Sequence, residues 1–313
     1  MANHFRSSDQ YEKNFVGMVD SLTGSLQKWQ VWEYLITAMA CSIANTTDRN
    51  RERVAEREKQ YKIAIDQLGG NVDACAKALA IVVNAMEAKP DQDFLGSLYM
   101  RLELGSHWHG QFFTPYDLCE MSAQMECTEE LLKHGIEDRG YISIADPAVG
   151  GGAMLVAAAN VIKLMGVNYQ TCCLFVGQDI DRIAGMMSYI QLSLLGCPGY
   201  IVIADTLANP VVGSDIQPVE KPEQEFWYTP FYFTRVWDFR RELQAIRDMR
   251  RKACPQEEPV EITEEIRRRY TFFFDFTKPD GGWGESEGGT DDRHRKDPGS
   301  PGEGDESSEY QTA

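Results

Sequence analysis

Residues 141–162 read YISIADPAVGGGAMLVAAANVI, and the order of residue types in that stretch decides the fold. Tyr141 to Ala145 form a short, mostly apolar run of strand length. Asp146, Pro147 and three glycines, Gly150 to Gly152, then predict a tight turn, and the alanine- and valine-rich residues that follow predict a buried helix. Glycine at a strand-to-helix turn lets the backbone approach a ligand and points the first helical N–H groups at it. A ligand site is expected there.

Two further strand-sized runs follow, CCLFVG at 172–177 and YIVIA at 200–204, each separated from the last by enough chain for a crossover helix. Strand, helix, strand order repeated in this way predicts an α/β fold with a parallel sheet. Each strand ends in acid: Asp146 after the first, Asp179 and Asp181 after the second, Asp205 after the third. An acid at the tip of the second strand is where ribose hydroxyls are usually gripped. The turn lacks the G-x-x-x-x-G-K-[ST] pattern, and residues 140–162 hold no Lys or Arg to meet a polyphosphate. A cationic nucleoside such as S-adenosylmethionine suits an acidic crevice better than NAD or ATP.

The run GQFFTP at 110–115, then DPAVGGGAML, GQDID and ADTL, resembles the adenine-specific (N6) DNA methyltransferases, in particular the modification subunit of type I restriction-modification systems. Asp93, Leu95, Gly96 and Tyr99 resemble the run that closes that family's helical N-terminal part. The resemblance covers roughly residues 93–207. It implies a Rossmann-like S-adenosylmethionine-dependent methyltransferase sheet, here abbreviated, preceded by a helical N-terminal domain. It also implies that Phe113, Thr114 and Pro115 pack on the cofactor, that Asp146, Pro147, Gly150 and Gly152 cradle it, that Asp179 takes the ribose hydroxyls and Asp205 the adenine amine. This chain departs from the family pattern D-P-A-C-G-S-G-G-F at Val149, Gly151, Ala153 and Met154, all small or apolar exchanges.

Methyl transfer to an exocyclic amine needs an acceptor that frees the amine's lone pair. The family supplies it with N-P-P-[FYW], whose aromatic stacks on a flipped base. That tetrapeptide is absent here. Asn209-Pro210 falls too soon after the third strand and lacks the aromatic. Tyr228-Thr229-Pro230-Phe231 keeps the Pro-aromatic end and is the candidate catalytic segment; an aromatic edge strand of the core is the alternative. Two functions therefore stand open: a DNA methyltransferase acting on the adenine N6 amine, or a catalytically inactive cofactor-binding relative serving as a DNA-associated module.

The rest of the chain frames this site. Residues 1–110 read as a helical domain, with an apolar stripe of Leu26, Trp29, Trp32, Leu35, Met39 and Ile43 and further helices at 50–68, 71–88 and 92–104. Residues 111–278 read as the methyltransferase domain, with two more strand-like stretches near 226–234 and 270–276. From 279 to 313 the sequence is Gly-, Ser- and acid-rich and predicts a disordered acidic tail.

With 31 basic and 48 acidic residues the formal charge is -17, so any DNA contact must be local. Residues 235–252 hold seven basic and three acidic groups, and Arg240, Arg247 and Arg251 align beside an apolar stripe at helical spacing. They are the candidate DNA contacts; a solvated helix face is the other reading. The resemblance also implies a specificity partner, since no target-recognition region is evident. Eight cysteines without a C-x-x-C pair, and no leader or membrane-spanning run, predict a cytoplasmic protein with reduced thiols. His107 and His109 lack a third ligand in view, so no metal is expected.

Overall fold

The computed structural model describes residues 2–102, 104 and 112–253. Five helices open the chain: α1 (Ala2–Leu22), α2 (Lys28–Thr47), α3 (Arg51–Gln67), α4 (Val72–Ala88) and α5 (Phe94–Arg101). Polar residues set where three of them start: the side chains of Asn50, Asn71 and Asp93 accept from backbone N–H groups of the first turns of α3, α4 and α5. α2 lies at the centre, packed against α1, α3 and α4 and against a later helix of the sheet region. Its buried residues therefore run from Val31 through Trp32, Leu35, Met39 and Cys41 to Ala44 on more than one face. The single stripe expected from sequence is too narrow for that position, and Trp29 is exposed.

The remainder is mixed α/β. It comprises α6 (Tyr116–Glu126), α7 (Glu129–Arg139), β1 (Ile142–Asp146), α8 (Ala153–Leu164), α9 (Tyr169–Cys172), β2 (Cys173–Asp179), α10 (Arg182–Leu194) and β3 (Gly199–Ile203). A hairpin of β4 (Val212–Ser214) and β5 (Gln217–Val219), then β6 (Glu225–Tyr228), a 3-10 turn at Pro230–Phe233 and α11 (Arg235–Ala253) complete it. The main sheet has the order β1-β2-β3-β6. The first three strands are parallel, and β6 runs antiparallel to β3 with Tyr200 opposite Tyr228 and Ile203 opposite Glu225. The aromatic stretch expected as a strand over 226–234 is thus a shorter strand, cut off where Pro230 has no N–H to give a ladder. The stretch at 270–276, the tail from 279, Gly110 and both His107 and His109 lie outside the described residues.

Side-chain alternation divides the core in two. Cys173, Phe175 and Ile201 face α8 and α10 in a cluster that continues through Trp32 and Phe15 of the opening helices. Leu174, Tyr200, Val202, Phe226 and Tyr228 face the opposite way, onto Ile216, Tyr232 and Trp237. Seven cysteines, Cys41, Cys75, Cys119, Cys127, Cys172, Cys173 and Cys197, are buried free thiols. Burial pushes the Cys75 and Cys119 thiols up to about 11 and Cys41 up to about 12.

Arg57 of α3 ties the two halves together. Its guanidinium is buried, donates to the Phe226 carbonyl (2.6 Å), pairs with the buried Asp48 (2.7 Å) and lies 4.4 Å from the Trp227 ring centroid. Asp48 keeps Arg53 as a second partner (2.9 Å), so removing the guanidinium strips one donor from Asp48 and this donor from the buried Phe226 carbonyl. Arg57→Ala is therefore expected to cost about 2–4 kcal/mol of unfolding free energy, read from the midpoint shift of a urea titration.

Candidate functional site

The three strand-end acids occupy one edge of the sheet in a staggered row. Asp146 is level with Gly177 of β2, two residues short of Asp179; Asp179 is level with Ile203, two short of Asp205. With strands about 4.8 Å apart and about 3.3 Å per residue, successive acids are separated by roughly 8 Å along the edge. Asp146 and Asp179 are half-buried, and Asp205 is exposed.

Each carboxylate also organises its own turn. Asp146 accepts from Ala148 N–H (3.0 Å), and Asp205 accepts from the N–H groups of Leu207 (2.8 Å) and Ala208 (3.1 Å). Asp179 accepts from Asp181 N–H (2.8 Å) and, across the crevice, from Gly150 N–H (2.7 Å). Asp181 caps α10. Burial raises the pKa of both Asp146 and Asp179 above the ordinary carboxylate range, and like charge adds to this, from Asp179 on Asp146 and from Asp181 on Asp179. Neighbouring amide donors oppose the shift in both without cancelling it.

The glycine turn is held from several sides. Gly150 (φ +53°) and Gly152 (φ +97°) adopt the left-handed conformations that glycine tolerates. A Cβ on Gly152 would sit 2.8 Å from Ser188 Oγ, and one on Gly150 would meet the Phe113 ring at 3.2 Å. Val149 tucks under the turn onto Gly177, and its N–H donates to the Gln178 carbonyl (3.0 Å). Thr206 Oγ1 donates to the Pro147 carbonyl (2.6 Å), joining the Asp205 loop to the turn.

Phe113 stacks on Tyr99 of α5, with centroids 5.4 Å apart and planes at 22°, while Thr114 and Pro115 are exposed before α6. Trp32 continues the contact beyond Tyr99 at 6.0 Å. The helical part of the chain thus reaches the turn through one aromatic series. The structure brings Phe113, Pro147, Gly150, Gly152, Asp146 and Asp179 together, with Asp205 next along the same edge.

It does not bring the expected catalytic segment there. β6 runs antiparallel, so it enters at the carboxyl edge with Glu225 and leaves at the opposite edge, carrying Tyr228, Thr229, Pro230 and Phe231 away from the acids. Tyr228 is buried, donates to Glu220 (2.9 Å), and packs among Tyr200, Phe226 and Tyr232. The buried Thr229 hydroxyl donates to the Cys197 carbonyl (2.7 Å), and Phe231 lies against Gly196. These residues build the amino-edge core and offer no stacking face to a ligand at the carboxyl edge.

Arg240 is likewise not a free cation. Its guanidinium donates to the carbonyls of Thr171 and Gly140, lies 4.6 Å from the Trp237 centroid, and is lowered by burial to about 10. Arg247 is exposed on α11, and the Arg251 side chain lies outside the described residues.

One central residue escaped the sequence reading. Gln191 of α10 is buried, and its Nε2 donates to Asp93 Oδ1 (2.8 Å) and to the Gly151 carbonyl (2.7 Å). Asp93 is itself buried at the start of α5, where Gly96 N–H also donates to it (2.8 Å). The available signal was an amide inside the otherwise apolar run YIQLSLL. Among the described residues no group of His, Cys, Asp or Glu is placed to hold a metal ion.

Residues 95–253 match the family described as N-6 DNA methylase, and the chain belongs to that family. Among solved structures, the type I restriction-modification system methyltransferase subunit from Streptococcus thermophilus is similar at 14% identity and a TM-score of 0.34, over 66% of this chain and 61% of that one. This chain thus spans about three fifths of that subunit's length. No curated protein matches it.

The contrast between the arginines of α11 is testable. Arg240→Ala is expected to lower stability by about 2–4 kcal/mol, because two carbonyls lose their donor and two rings lose packing. Arg247→Ala should change it by less than about 0.5 kcal/mol. Paired denaturant titrations compare the two.

Proposed function

We propose that this chain is an S-adenosylmethionine-dependent DNA methyltransferase acting on the N6 amine of adenine. In this reading residues 111–278 form an abbreviated Rossmann-like methyltransferase domain behind a helical N-terminal domain at 1–110. The supporting observation is the convergence on one sheet edge of Asp146, Asp179 and the Gly150 turn, with Phe113 closing over it, in a chain of the N-6 DNA methylase family. The fit to the donor rests on chemistry: two half-buried carboxylates whose ionisation burial opposes gain from a nearby cation. When bound, S-adenosylmethionine would supply a methyl group on a positively charged sulfur.

The protein's part is binding and orientation. Asp146, Pro147, Gly150 and Gly152 would cradle the methionine part, Asp179 would accept from the ribose hydroxyls and Asp205 from the adenine amine. Phe113, Thr114 and Pro115 would cover it and keep water out. DNA would be met by a local basic surface that includes the exposed Arg247, and a specificity subunit would select the site. No helix among the described residues is long and apolar enough to cross a membrane.

A second reading is favoured by one observation, the placement of Tyr228 to Phe231 at the far edge of the sheet. Without an amine acceptor at the carboxyl edge, the same pocket would serve a cofactor-binding, DNA-associated module. Labelled donor, mixed-sequence DNA and purified chain, with and without a specificity subunit, separate the two. Label in adenine supports the enzyme; donor binding without transfer supports the module; no calorimetric heat with the donor removes both.

In the same titrations Asp146→Ala is expected to weaken donor binding by about tenfold or more, equivalent to about 1.4 kcal/mol. Tyr228→Ala should lower stability and leave donor affinity unchanged. Affinity should also fall as pH drops through the raised range in which Asp146 and Asp179 take up protons, because a neutral acid no longer attracts the cation. The demethylated product has no charge on sulfur and should lose less. Equal losses for both would show that the acids do not sense that charge.

A further inference from the structure

Three consecutive glycines, Gly150 to Gly152, have little conformational preference of their own, so neighbouring groups must impose the shape of the turn. Asp179 takes the Gly150 N–H (2.7 Å) and the Gln178 carbonyl takes that of Val149 (3.0 Å). The next peptide joins Gly151 to Gly152 and meets the least steric resistance to turning over. Its N–H closes the turn onto the Val149 carbonyl (2.8 Å), and its carbonyl is drawn inward by Gln191 of α10.

The Gln191 side chain has no bonding capacity to spare at its nitrogen. An amide offers two N–H bonds and an acceptor oxygen. Nε2 donates to the Gly151 carbonyl (2.7 Å) and to Asp93 Oδ1 (2.8 Å), while Oε1 accepts from Leu95 N–H (3.2 Å). Asp93 and Leu95 both lie at the start of α5, so one amide spans from the opening helices to the turn. Both Gln191 and Asp93 are buried.

α5 also meets the turn backbone to backbone. A Cβ on Gly151 would lie 3.2 Å from Gly96 Cα, and one on Gly96 would overlap Asp93 Oδ2. Glycine at both positions lets the Asp93 carboxylate fit between helix and turn. Gln191 and Asp93 therefore reach the acidic edge through the Gly151 peptide.

We propose that Gln191 and Asp93 are positioning residues for the methyl donor: together they fix the Gly151-Gly152 peptide with its carbonyl inward, and so couple donor binding to the packing of α5. This rests on the reading of the acidic edge as the donor site. The inward carbonyl keeps its partial negative charge off the crevice side, and the turn is formed before the donor arrives rather than at the expense of its affinity. Coupling of this kind is reciprocal, so a donor bound at the turn also steadies α5.

Calorimetry on the full chain, with S-adenosylmethionine and with its demethylated product, tests the positioning role. Gln191→Met has similar length but no N–H to give, and should weaken both ligands equally, by about tenfold or more. Asp93→Asn keeps an acceptor for Gln191 and should stay within about threefold of the unaltered chain. Gly96→Ala displaces the Asp93 carboxylate while favouring the helix, and should weaken both ligands by at least about threefold. The number of binding sites counts folded chains. A purely structural role would lower that number in Gln191→Met and Gly96→Ala and leave the affinity of the remaining sites unchanged, which would overturn the proposal. No heat from the unaltered chain with either ligand would instead remove the donor reading, and the positioning role with it.

Hydrogen–deuterium exchange reads the coupling. Peptides covering 147–155 should exchange at least about tenfold faster in Gln191→Met than in the unaltered chain. Donor should slow exchange of 94–101 in the unaltered chain and not in Gln191→Met. Equal exchange of 147–155 in the two chains would count against the proposal, as would exchange of 94–101 that ignores a bound donor.

Discussion

The amide of Gln191 sits between two polar groups buried in the interior, the Asp93 carboxylate and the Gly151 carbonyl, and donates to both. Burying a carboxylate and a carbonyl is unfavourable unless each is hydrogen-bonded, and one side chain satisfies both. That constraint fixes the glycine turn against α5. Backbone strain at Gly150 and Gly152 is tolerated because the turn is held from above by α5, from below by Val149 on Gly177 and from the side by Thr206. The acidic edge has its shape because this turn cannot move far in any of those directions.

A second consequence concerns the relation between the opening helices and the sheet. Phe15, Trp32, Tyr99 and Phe113 form a continuous aromatic series that ends on Gly150, and Arg57 bonds directly to β6. The helices therefore act as the upper wall of the site, and a change in their packing would be transmitted to the crevice through rigid rings rather than through a linker.

What could be read from residues alone followed local rules. The three parallel strands, their terminal acids and the glycine turn were legible because strand length, turn chemistry and helix onset are written in neighbouring residues. The helices at 51–67 and 72–88 were legible because Asn50, Asn71 and the Gly69-Gly70 pair mark their ends. Strand direction is not local. Tyr228 to Phe231 have the residue types of a base-stacking segment, yet the antiparallel course of β6 puts them at the wrong end of the sheet. Arg240 fits a helical basic stripe, but two carbonyls from distant turns claim its guanidinium. Gln191 carried no spacing signal at all, since its partners lie 98 and 40 residues away.

The seven buried sulfhydryls give the fold a further property. Burial holds the protons of six of them, Cys41, Cys75, Cys119, Cys127, Cys173 and Cys197, so their nucleophilic thiolates are scarce while the molecule stays closed. Oxidants and alkylating agents would find no ready target among these buried thiols until a helix lifts. Chemical inertness is thus a by-product of packing, and the rate of modification at Cys75 or Cys119 becomes a direct gauge of local opening in α4 or α6.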